Sequence, residues 1–261
     1  MMSSDNELVK RIQNGTIRGI IFDFDGTLLD IRESLRNSIE EVFNEKQINY
    51  DIETTMQEIG ALMEIIQGTP LPKIILEAFE LFKYITSLHS ITFLKKLRIA
   101  TKIFTTYLTY AKEAPFYPEA DDFIKKFKKS YDFFIVSHNQ TKNIIPHLES
   151  NNVKSMFKGV FGADLLPDLK PDPNSLNPVF ESYKSCNLKE FIMIGDMPSD
   201  IQAGKEAGVW TIGVATGVSK KEMLAEFQPH LLIDSLDDLK RLIENKNLSN
   251  SNSQNSIKIK S

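Results

Sequence analysis

Short apolar runs rich in β-branched and aromatic residues recur along this chain, and segments with helical spacing separate most of them. The first run, residues 19–24, stops before Gly26 and predicts a buried strand. Similar runs follow at 133–136, 159–162, 191–194, 210–214 and 231–233. Helical patterns lie between or after them, at 123–129, 141–151, 176–185 and 236–244. Such alternation implies right-handed crossovers, and therefore predicts an α/β fold with a Rossmann-like, doubly wound parallel sheet.

A long segment after the first strand does not follow this alternation. Apolar residues recur at helical spacing over residues 33–43, and two further helical blocks cover 74–85 and 91–111. Glycine and prolines in residues 68–72 predict a loop between the first two blocks. The segment is therefore predicted to form only helices.

These patterns divide the 261 residues into a core, an insertion and two ends. We expect an all-helical insertion with its own small core over residues 31–112, and an α/β core made of residues 18–30 and 113–245. Residues 1–17 are polar, and we expect them to be peripheral. The tail, residues 246–261, is mostly Asn, Ser and Lys with little to bury, and is predicted to be disordered.

Charge and composition limit the partners and the compartment. The net charge of -4 gives no reason to expect nucleic acid or an anionic membrane as a partner, and the lysines within 125–129 are interpreted as a solvated helix face. We find no apolar run of about 18 residues and no signal-peptide pattern at the N-terminus. Cys186 is the only cysteine, which excludes an intramolecular disulfide and fits a reducing cytosol. We predict a cytoplasmic protein, as a monomer or homodimer.

Polar side chains follow the predicted strands at their carboxyl ends, where the reactive site of such sheets lies. They are Asp23 and Asp25 after the first strand, Ser137 and Asn139 after the second, Lys170 in a later loop, and Asp196 and Asp200 after residues 193–195. Several carboxylates cannot stay ionised side by side without compensation, and Mg²⁺ prefers oxygen ligands. An aspartate can attack phosphorus, and a carboxyl two residues away can serve as acid and then base. The pattern predicts a magnesium site for phosphoryl transfer.

Four segments, in order, resemble the four motifs of the haloacid dehalogenase superfamily. Residues 23–28, Asp-Phe-Asp-Gly-Thr-Leu, resemble the first motif; Ser137 matches the second, Lys170 the third, and residues 195–200, Gly-Asp-Met-Pro-Ser-Asp, the fourth. The resemblance covers roughly residues 18–243. The helical insertion resembles a type C1 cap, as in phosphoglycolate phosphatases, and its loop at 68–72 resembles the cap loop that reaches into their active site.

The resemblance implies a role for each motif residue. Asp23 would be the nucleophile and Asp25 the general acid and base. Ser137 and Lys170 would bind the phosphoryl group, with His138 as a further candidate for phosphate binding. Mg²⁺ would be held by Asp23, Asp25 (through its backbone carbonyl), Asp196 and Asp200.

An aspartate at position 25 resembles phosphatases and phosphomutases and argues against dehalogenation. We therefore predict a magnesium-dependent phosphatase that hydrolyses a small phosphorylated metabolite, similar to phosphoglycolate or a sugar phosphate, through an aspartyl-phosphate. Two alternatives stay open: a phosphomutase of the β-phosphoglucomutase type, and a non-catalytic phospho-ligand-binding protein on the same fold.

The sequence departs from the family pattern at two positions. His138 stands where relatives more often have Asn, which displaces Asn139 by one, and Ile31 stands where phosphoglycolate-type enzymes often have Ser. We expect neither departure to touch the chemistry. Other charged residues have structural interpretations. Asp30 and Asp164 are interpreted as caps or loop acids, and Arg36 and Lys73 as surface charges.

Overall fold

A parallel sheet of six strands, in the order β3-β2-β1-β4-β5-β6, forms the centre of the molecule. The computed structural model describes residues 6–56, 58, 85–89, 91–217 and 219–244. The strands are β1 Gly19–Phe22, β2 Asp132–Val136, β3 Phe157–Phe161, β4 Phe191–Gly195, β5 Trp210–Val214 and β6 Leu231–Ile233. All five strand pairs are parallel, so the predicted doubly wound α/β fold is confirmed.

The central strand β1 aligns the carboxyl ends of its two neighbours. Phe22 lies opposite Ile135 of β2 and Ile194 of β4, and the backbone N–H of Asp23 continues the ladder by donating to the carbonyl of Ile194 at 2.8 Å. Because β1 is buried on both faces, its side chains are apolar throughout. The residues that follow β1, β2 and β4 therefore meet at one edge of the sheet.

Helices pack against the sheet and form the insertion. They are α1 Glu7–Asn14, α2 Arg32–Glu45, α3 Phe93–Tyr110, α4 Pro118–Phe127, α5 Thr141–Ser150, α6 Asn177–Glu181, α7 Pro198–Glu206, α8 Lys221–Glu226 and, over residues 236–244, α9. Residues 52–56 are also helical. Short 3₁₀ helices cover Thr86–Leu88, Ala111–Glu113, Lys154–Met156, Pro173–Leu176 and Leu188–Glu190.

Helix α1 corrects the expectation that residues 1–17 are peripheral, which is wrong for the part that is described. The Asn6 side chain accepts from the N–H groups of Leu8 and Val9, which caps the helix. Leu8, Val9 and Ile12 lie on one helical face and belong to the main apolar core. The polar composition of this segment does not indicate the buried face, because three apolar residues on one side of a short helix are enough to form it.

The helical insertion has an apolar cluster of its own, separate from the two clusters on the faces of the sheet. Its buried members are Leu35, Ile39, Val42, Phe43, Ile85, Leu88, Ile99 and Ile103. The boundaries at residues 30 and 112 stay a prediction. The predicted helix at 74–85, apart from residue 85, the loop at 68–72, Lys73 and the tail at 246–261 lie outside the described residues.

The segments that enter and leave the insertion pair with each other. Asp30 N–H donates to the Pro115 carbonyl at 2.8 Å, and Tyr117 N–H donates to the Leu28 carbonyl at 2.9 Å. An antiparallel bridge joins Leu29 to Phe116 between these two bonds. The insertion is therefore closed at its base, directly beside the turn that follows β1.

None of the helices in the described part of the chain combines the length and the apolar character that a membrane crossing requires.

Candidate active site

Lys170 lies at the centre of the carboxyl edge of the sheet, with only 2% of its side chain exposed. Its ammonium donates to Asp23 Oδ1 at 2.7 Å, to Asp200 Oδ1 at 2.5 Å and to the Val136 carbonyl at 3.0 Å. These three bonds use all three ammonium protons. Burial lowers the pKa of Lys170, but the charges of Asp200 and Asp23 outweigh burial and raise the pKa overall, so the side chain stays a cation.

Three buried carboxylates surround this cation. One oxygen each of Asp23, Asp196 and Asp200 lies within 4.8 Å of the others. Burial raises the pKa of Asp196 well above its ordinary range, and the charges of Asp23 and Asp200 add to the effect. Burial and Asp23 also raise the pKa of Asp200, to about 7, although Lys170 opposes them. This crowding of negative charge around oxygen donors fits a bound Mg²⁺, which would compensate it.

Asp25 is a partly buried acid, one oxygen of which has no partner among the described residues. Its Oδ2 accepts from Asn139 Nδ2 at 3.0 Å, while its Oδ1 has no hydrogen-bond partner among the residues that the structure describes. Burial, together with the charge of Asp23, raises the pKa of Asp25 to about 7. The side chain can therefore carry a proton near neutral pH and present it to a bound group, as a general acid must.

Asn139 is predicted to follow the second strand at the reactive edge of the sheet, and the structure shows what it contacts there. Its amide fixes the orientation of Asp25 across 114 positions of sequence. The extra residue, His138, follows directly after Ser137, and Asn139 still reaches the site from the loop between β2 and α5. Sequence reasoning placed Asn139 at the right strand end but missed this contact, because no local pattern encodes it.

Ser137 and His138 begin the same loop. Ser137 Oγ accepts from Asn139 N–H at 3.1 Å, which leaves its own proton free to be donated to a ligand. The Nε2 of the His138 imidazole is buried without a partner in the described part of the chain. Burial and the charge of Lys170 lower the pKa of His138 to about 4.

The insertion contributes Tyr107, which sequence reasoning missed. Its ring packs against both the cluster of the insertion and the main apolar core. Burial raises the pKa of Tyr107 far above its usual range, and the charges of Asp25, Asp196 and Asp23 raise it further. The hydroxyl therefore stays protonated and lies within electrostatic reach of the carboxylates. The helical spacing of α3 predicts the helix but does not identify this residue.

Asp30, Asp164 and Arg36, which the sequence assigns to structural or surface positions, each form local contacts. Asp164 accepts from Thr141 N–H at 2.7 Å at the start of α5, and Asp30 accepts from the Arg32 guanidinium at 2.9 and 2.7 Å. Arg36 donates to Glu53 at 2.7 Å at the surface of the insertion. These contacts agree with the interpretation of Asp164 as a cap and of Asp30 as a loop acid, and they place Arg36 in an ion pair of the insertion.

Comparison with known proteins settles the family. The sequence model of the haloacid dehalogenase-like hydrolase family matches residues 20–214. This chain belongs to that family. The prediction that it is a hydrolase of the haloacid dehalogenase superfamily is therefore confirmed, and the family match spans the segments that contain Asp23, Ser137, Lys170 and Asp196.

The hydrolase is similar over almost its whole length to relatives with phosphatase names. It is 26% identical to pyrophosphatase PpaX of Listeria welshimeri over an alignment of 243 residues. This alignment covers 89% of this chain and 99% of the relative. It is 28% identical over 238 residues to a phosphoglycolate phosphatase of Salmonella typhi, which covers 88% and 93%. These names agree with the predicted class of phosphoric monoester hydrolase.

Solved structures share the fold of the hydrolase. One, described as a predicted phosphoglycolate phosphatase from Haemophilus somnus, superposes with a TM-score of 0.65 at 20% identity and covers 87% of this chain and 98% of its own. The hydrolase YfnB from Bacillus subtilis, determined with bound magnesium, superposes with a TM-score of 0.63 at 18% identity and covers 87% and 99%. At these identities the likeness establishes the shared architecture.

Proposed function

We propose that this hydrolase is a magnesium-dependent phosphatase that releases phosphate from a small phosphorylated metabolite through an aspartyl-phosphate on Asp23. One observation carries the proposal. The buried Asp23 carboxylate lies 2.7 Å from the Lys170 ammonium, and Asp25, two residues further along, carries a free oxygen and a pKa of about 7. A nucleophile, a fixed positive charge and a proton donor are thereby gathered at one point.

In the first step, an Asp23 oxygen attacks phosphorus and forms the acyl-phosphate while the bond between phosphorus and the leaving oxygen breaks. Asp25 gives its proton to that leaving oxygen, so the leaving group departs as a neutral alcohol. Asn139 holds Asp25 through Oδ2, which leaves Oδ1 to face the substrate. The raised pKa of Asp25 supplies the proton near neutral pH.

In the second step, water attacks the phosphorus of the aspartyl-phosphate, and Asp25, now ionised, accepts the proton of that water. The bond between phosphorus and the Asp23 oxygen breaks, inorganic phosphate is released, and the Asp23 carboxylate is restored. Lys170 and Ser137 would bind the phosphoryl oxygens in both steps, Lys170 by charge and Ser137 through its free hydroxyl proton. His138, whose Nε2 has no partner among the described residues, is the further candidate for contact with the phosphoryl group.

Asp23, Asp196 and Asp200, with the backbone carbonyl of Asp25, would hold the Mg²⁺. When bound, this ion neutralises the crowded carboxylates and stabilises negative charge on the phosphoryl oxygens. The raised pKa values of Asp196 and Asp200 support its presence, because in its absence these acids are driven toward protonation.

The names of the relatives and the insertion beside the site support a small phosphorylated metabolite as the substrate class. Phosphoglycolate and sugar-phosphate-like monoesters are the leading candidates, and the similarity to pyrophosphatase PpaX adds inorganic pyrophosphate. A helical cap that contributes Tyr107 beside the carboxylates favours small molecules. A cytoplasmic location, and a monomer or homodimer, remain predictions.

The test is phosphate release from a panel of phosphomonoesters and inorganic pyrophosphate, with and without Mg²⁺, by the wild type and by Asp23→Asn. We expect magnesium-dependent release that falls by about a thousandfold or more in Asp23→Asn, together with a mass gain of one phosphoryl group that only the wild type acquires. Asp122→Asn is the matched control, because Asp122 is exposed and pairs only with Lys240 in the described structure.

Two outcomes would contradict the proposal. The first is a wild type that releases no phosphate from any compound in the panel, and the second is Asp23→Asn with undiminished release. A phosphomutase would instead interconvert sugar phosphates, require a bisphosphate activator and release no net phosphate.

A further inference from the structure

The carboxylate of Asp196 lies between two glycines from different loops. A Cβ on Gly26 would lie 2.4 Å from Asp196 Oδ2, and a Cβ on Gly217 would lie 1.8 Å from the same oxygen. Thr27 Oγ also donates to Asp196 Oδ1 at 3.2 Å. The loop after β1 and the loop after β5 thus close on Asp196 from both sides, and only the absence of side chains permits this approach.

Thr216 joins these two loops. Its Oγ donates to the Gly26 carbonyl at 2.7 Å, across 190 positions of sequence, and the bond is buried. Leaving a buried carbonyl without a donor costs free energy, so this bond keeps the two loops at a fixed distance from each other. The Asp196 carboxylate fills the space between them. Thr216 belongs to none of the four motifs, and neither the sequence pattern nor the family resemblance assigned it a role.

A chain of polar contacts connects Thr216 with the base of the insertion. Tyr117, in the segment that leaves the insertion, donates from its hydroxyl to the Thr216 carbonyl at 2.6 Å. The same hydroxyl lies 3.2 Å from Asp30 Oδ1, in the segment that enters the insertion. Asp30 accepts a two-pronged bond from Arg32, the first residue of α2. The contacts run without a gap from the first helix of the insertion to the loop against Asp196.

We propose that Thr216 is a positioning residue that holds Asp196 ready for the cation, and that Tyr117 fixes Thr216 to both segments at the base of the insertion. The inference rests on the proposed function, since it concerns the same metal site. Residues that orient a metal ligand without touching the metal commonly contribute about ten- to hundredfold to metal affinity.

The experiment is calorimetric titration of the metal-free protein with Mg²⁺, for the wild type and three variants. Thr216→Val removes the hydroxyl but keeps the shape, and we expect Mg²⁺ affinity to fall about tenfold or more. Thr216→Ser keeps the hydroxyl and should bind Mg²⁺ nearly as the wild type does. Thr211→Val is the matched control, because Thr211 is a buried threonine on β5 that bonds to His230 instead.

A second readout separates positioning from chemistry. Phosphate release by Thr216→Val should approach the wild-type rate once Mg²⁺ is saturating, because Thr216 touches none of the reacting groups. If Thr216→Val fails to fold by circular dichroism, Tyr117→Phe carries the test, with an expected loss of about threefold in Mg²⁺ affinity, the size expected from one lost hydrogen bond.

The inference is overturned if Thr216→Val binds Mg²⁺ like the wild type, or if Thr211→Val weakens binding as much as Thr216→Val. It is also overturned if Tyr117→Phe, used in place of an unfolded Thr216→Val, shows unchanged affinity. A wild type that binds no Mg²⁺ would contradict the proposed function itself. The two failures are therefore told apart by the wild-type titration alone.

Discussion

The α/β core and the helical insertion use their charged residues in opposite ways. In the core, Lys170 is 2% exposed and bonds to Asp23 and Asp200, which are themselves buried. In the insertion, Arg36 pairs with Glu53, and 30% and 66% of these two side chains are exposed. Buried charge is costly unless it is paired and bonded, whereas an exposed pair contributes little. The comparison teaches that the chemistry is concentrated in the core, while the insertion depends on its apolar cluster for stability.

Replacing the buried cation of the core should produce the largest effect. Lys170→Met leaves Asp23 and Asp200 without their shared donor, and we expect phosphate release to fall by at least about a hundred- to thousandfold. Steady-state kinetics at saturating Mg²⁺ measures this loss. Lys125→Met is the control, since Lys125 forms only an exposed pair with Asp121 in the described structure. If Lys170→Met releases phosphate at a rate within tenfold of the wild type, the buried cation of the core is not essential and the contrast with the insertion fails.

The apolar cluster of the insertion provides the next test. Phe43 is fully buried in that cluster, so Phe43→Ala should destabilise the insertion by about 3–5 kcal/mol. We expect hydrogen exchange to quicken in α2 and α3 while β1 and β4 stay protected, because the cluster of the insertion is separate from those of the core. Phe104→Ala, on the exposed side of α3, is the control. Equal loss of protection in β1 and β4 would show that the insertion and the core unfold as one unit.

A pH titration of stability reports on His138, a largely buried imidazole in the core. Its pKa is lowered from 6.5 to about 4, so between these values the unfolded chain binds more protons than the folded one. The contribution of neutral His138 to the free energy of unfolding is therefore complete above pH 6.5 and is lost as the pH falls towards 4. Urea unfolding without metal measures the free energy of unfolding of the wild type and of His138→Gln at pH 7.5 and at pH 4.5. Between these two values we expect the free energy of unfolding to fall by up to about 3 kcal/mol more in the wild type than in the variant. Equal losses in the two proteins would contradict this assignment.

The smallest effect is expected at the exposed pair of the insertion. Arg36→Gln removes the bond to Glu53, and we expect unfolding free energy to change by less than about 1 kcal/mol and phosphate release to change less than about twofold. Denaturant unfolding and steady-state kinetics measure both quantities. A large rise in KM would contradict the expectation that charges of the insertion serve only its surface, because it would give Arg36 a role in binding the substrate anion.

The sequence predicted β1, β4 and β5 well, because each is a short apolar run with a clear end. It predicted β3 less well, since that strand is only partly buried, carries exposed Lys158 and covers Phe157–Phe161 instead of 159–162. Helix ends were predicted less well. The helix expected at 176–185 is a 3₁₀ turn, Pro173–Leu176, followed by α6, which ends at Glu181. Tyr183 turns away there and donates to Asp132, a tertiary contact that helical spacing does not encode.

The candidate site could be predicted as far as its residues are marked by strand ends and motifs. Asp23, Lys170 and Asp196 stand directly after apolar runs or within recognisable segments, and the structure brings them together. Tyr107, Thr216 and the contact of Asn139 with Asp25 could not be found in this way. Each of these residues reaches the site from a distant part of the chain, and its function depends on which loop or helix lies against it. Local sequence carries no signal for such proximity.

The paired segments at the base of the insertion also bear on the history of this architecture. Backbone hydrogen bonds from Asp30 and Tyr117 join the two segments as in a hairpin, so the two ends of the insertion are held together beside the sheet. The free energy of closing a loop rises only slowly with its length. A lineage could therefore lengthen, exchange or discard the inserted helices without rebuilding the sheet, and new substrate preferences could arise on an unchanged catalytic foundation.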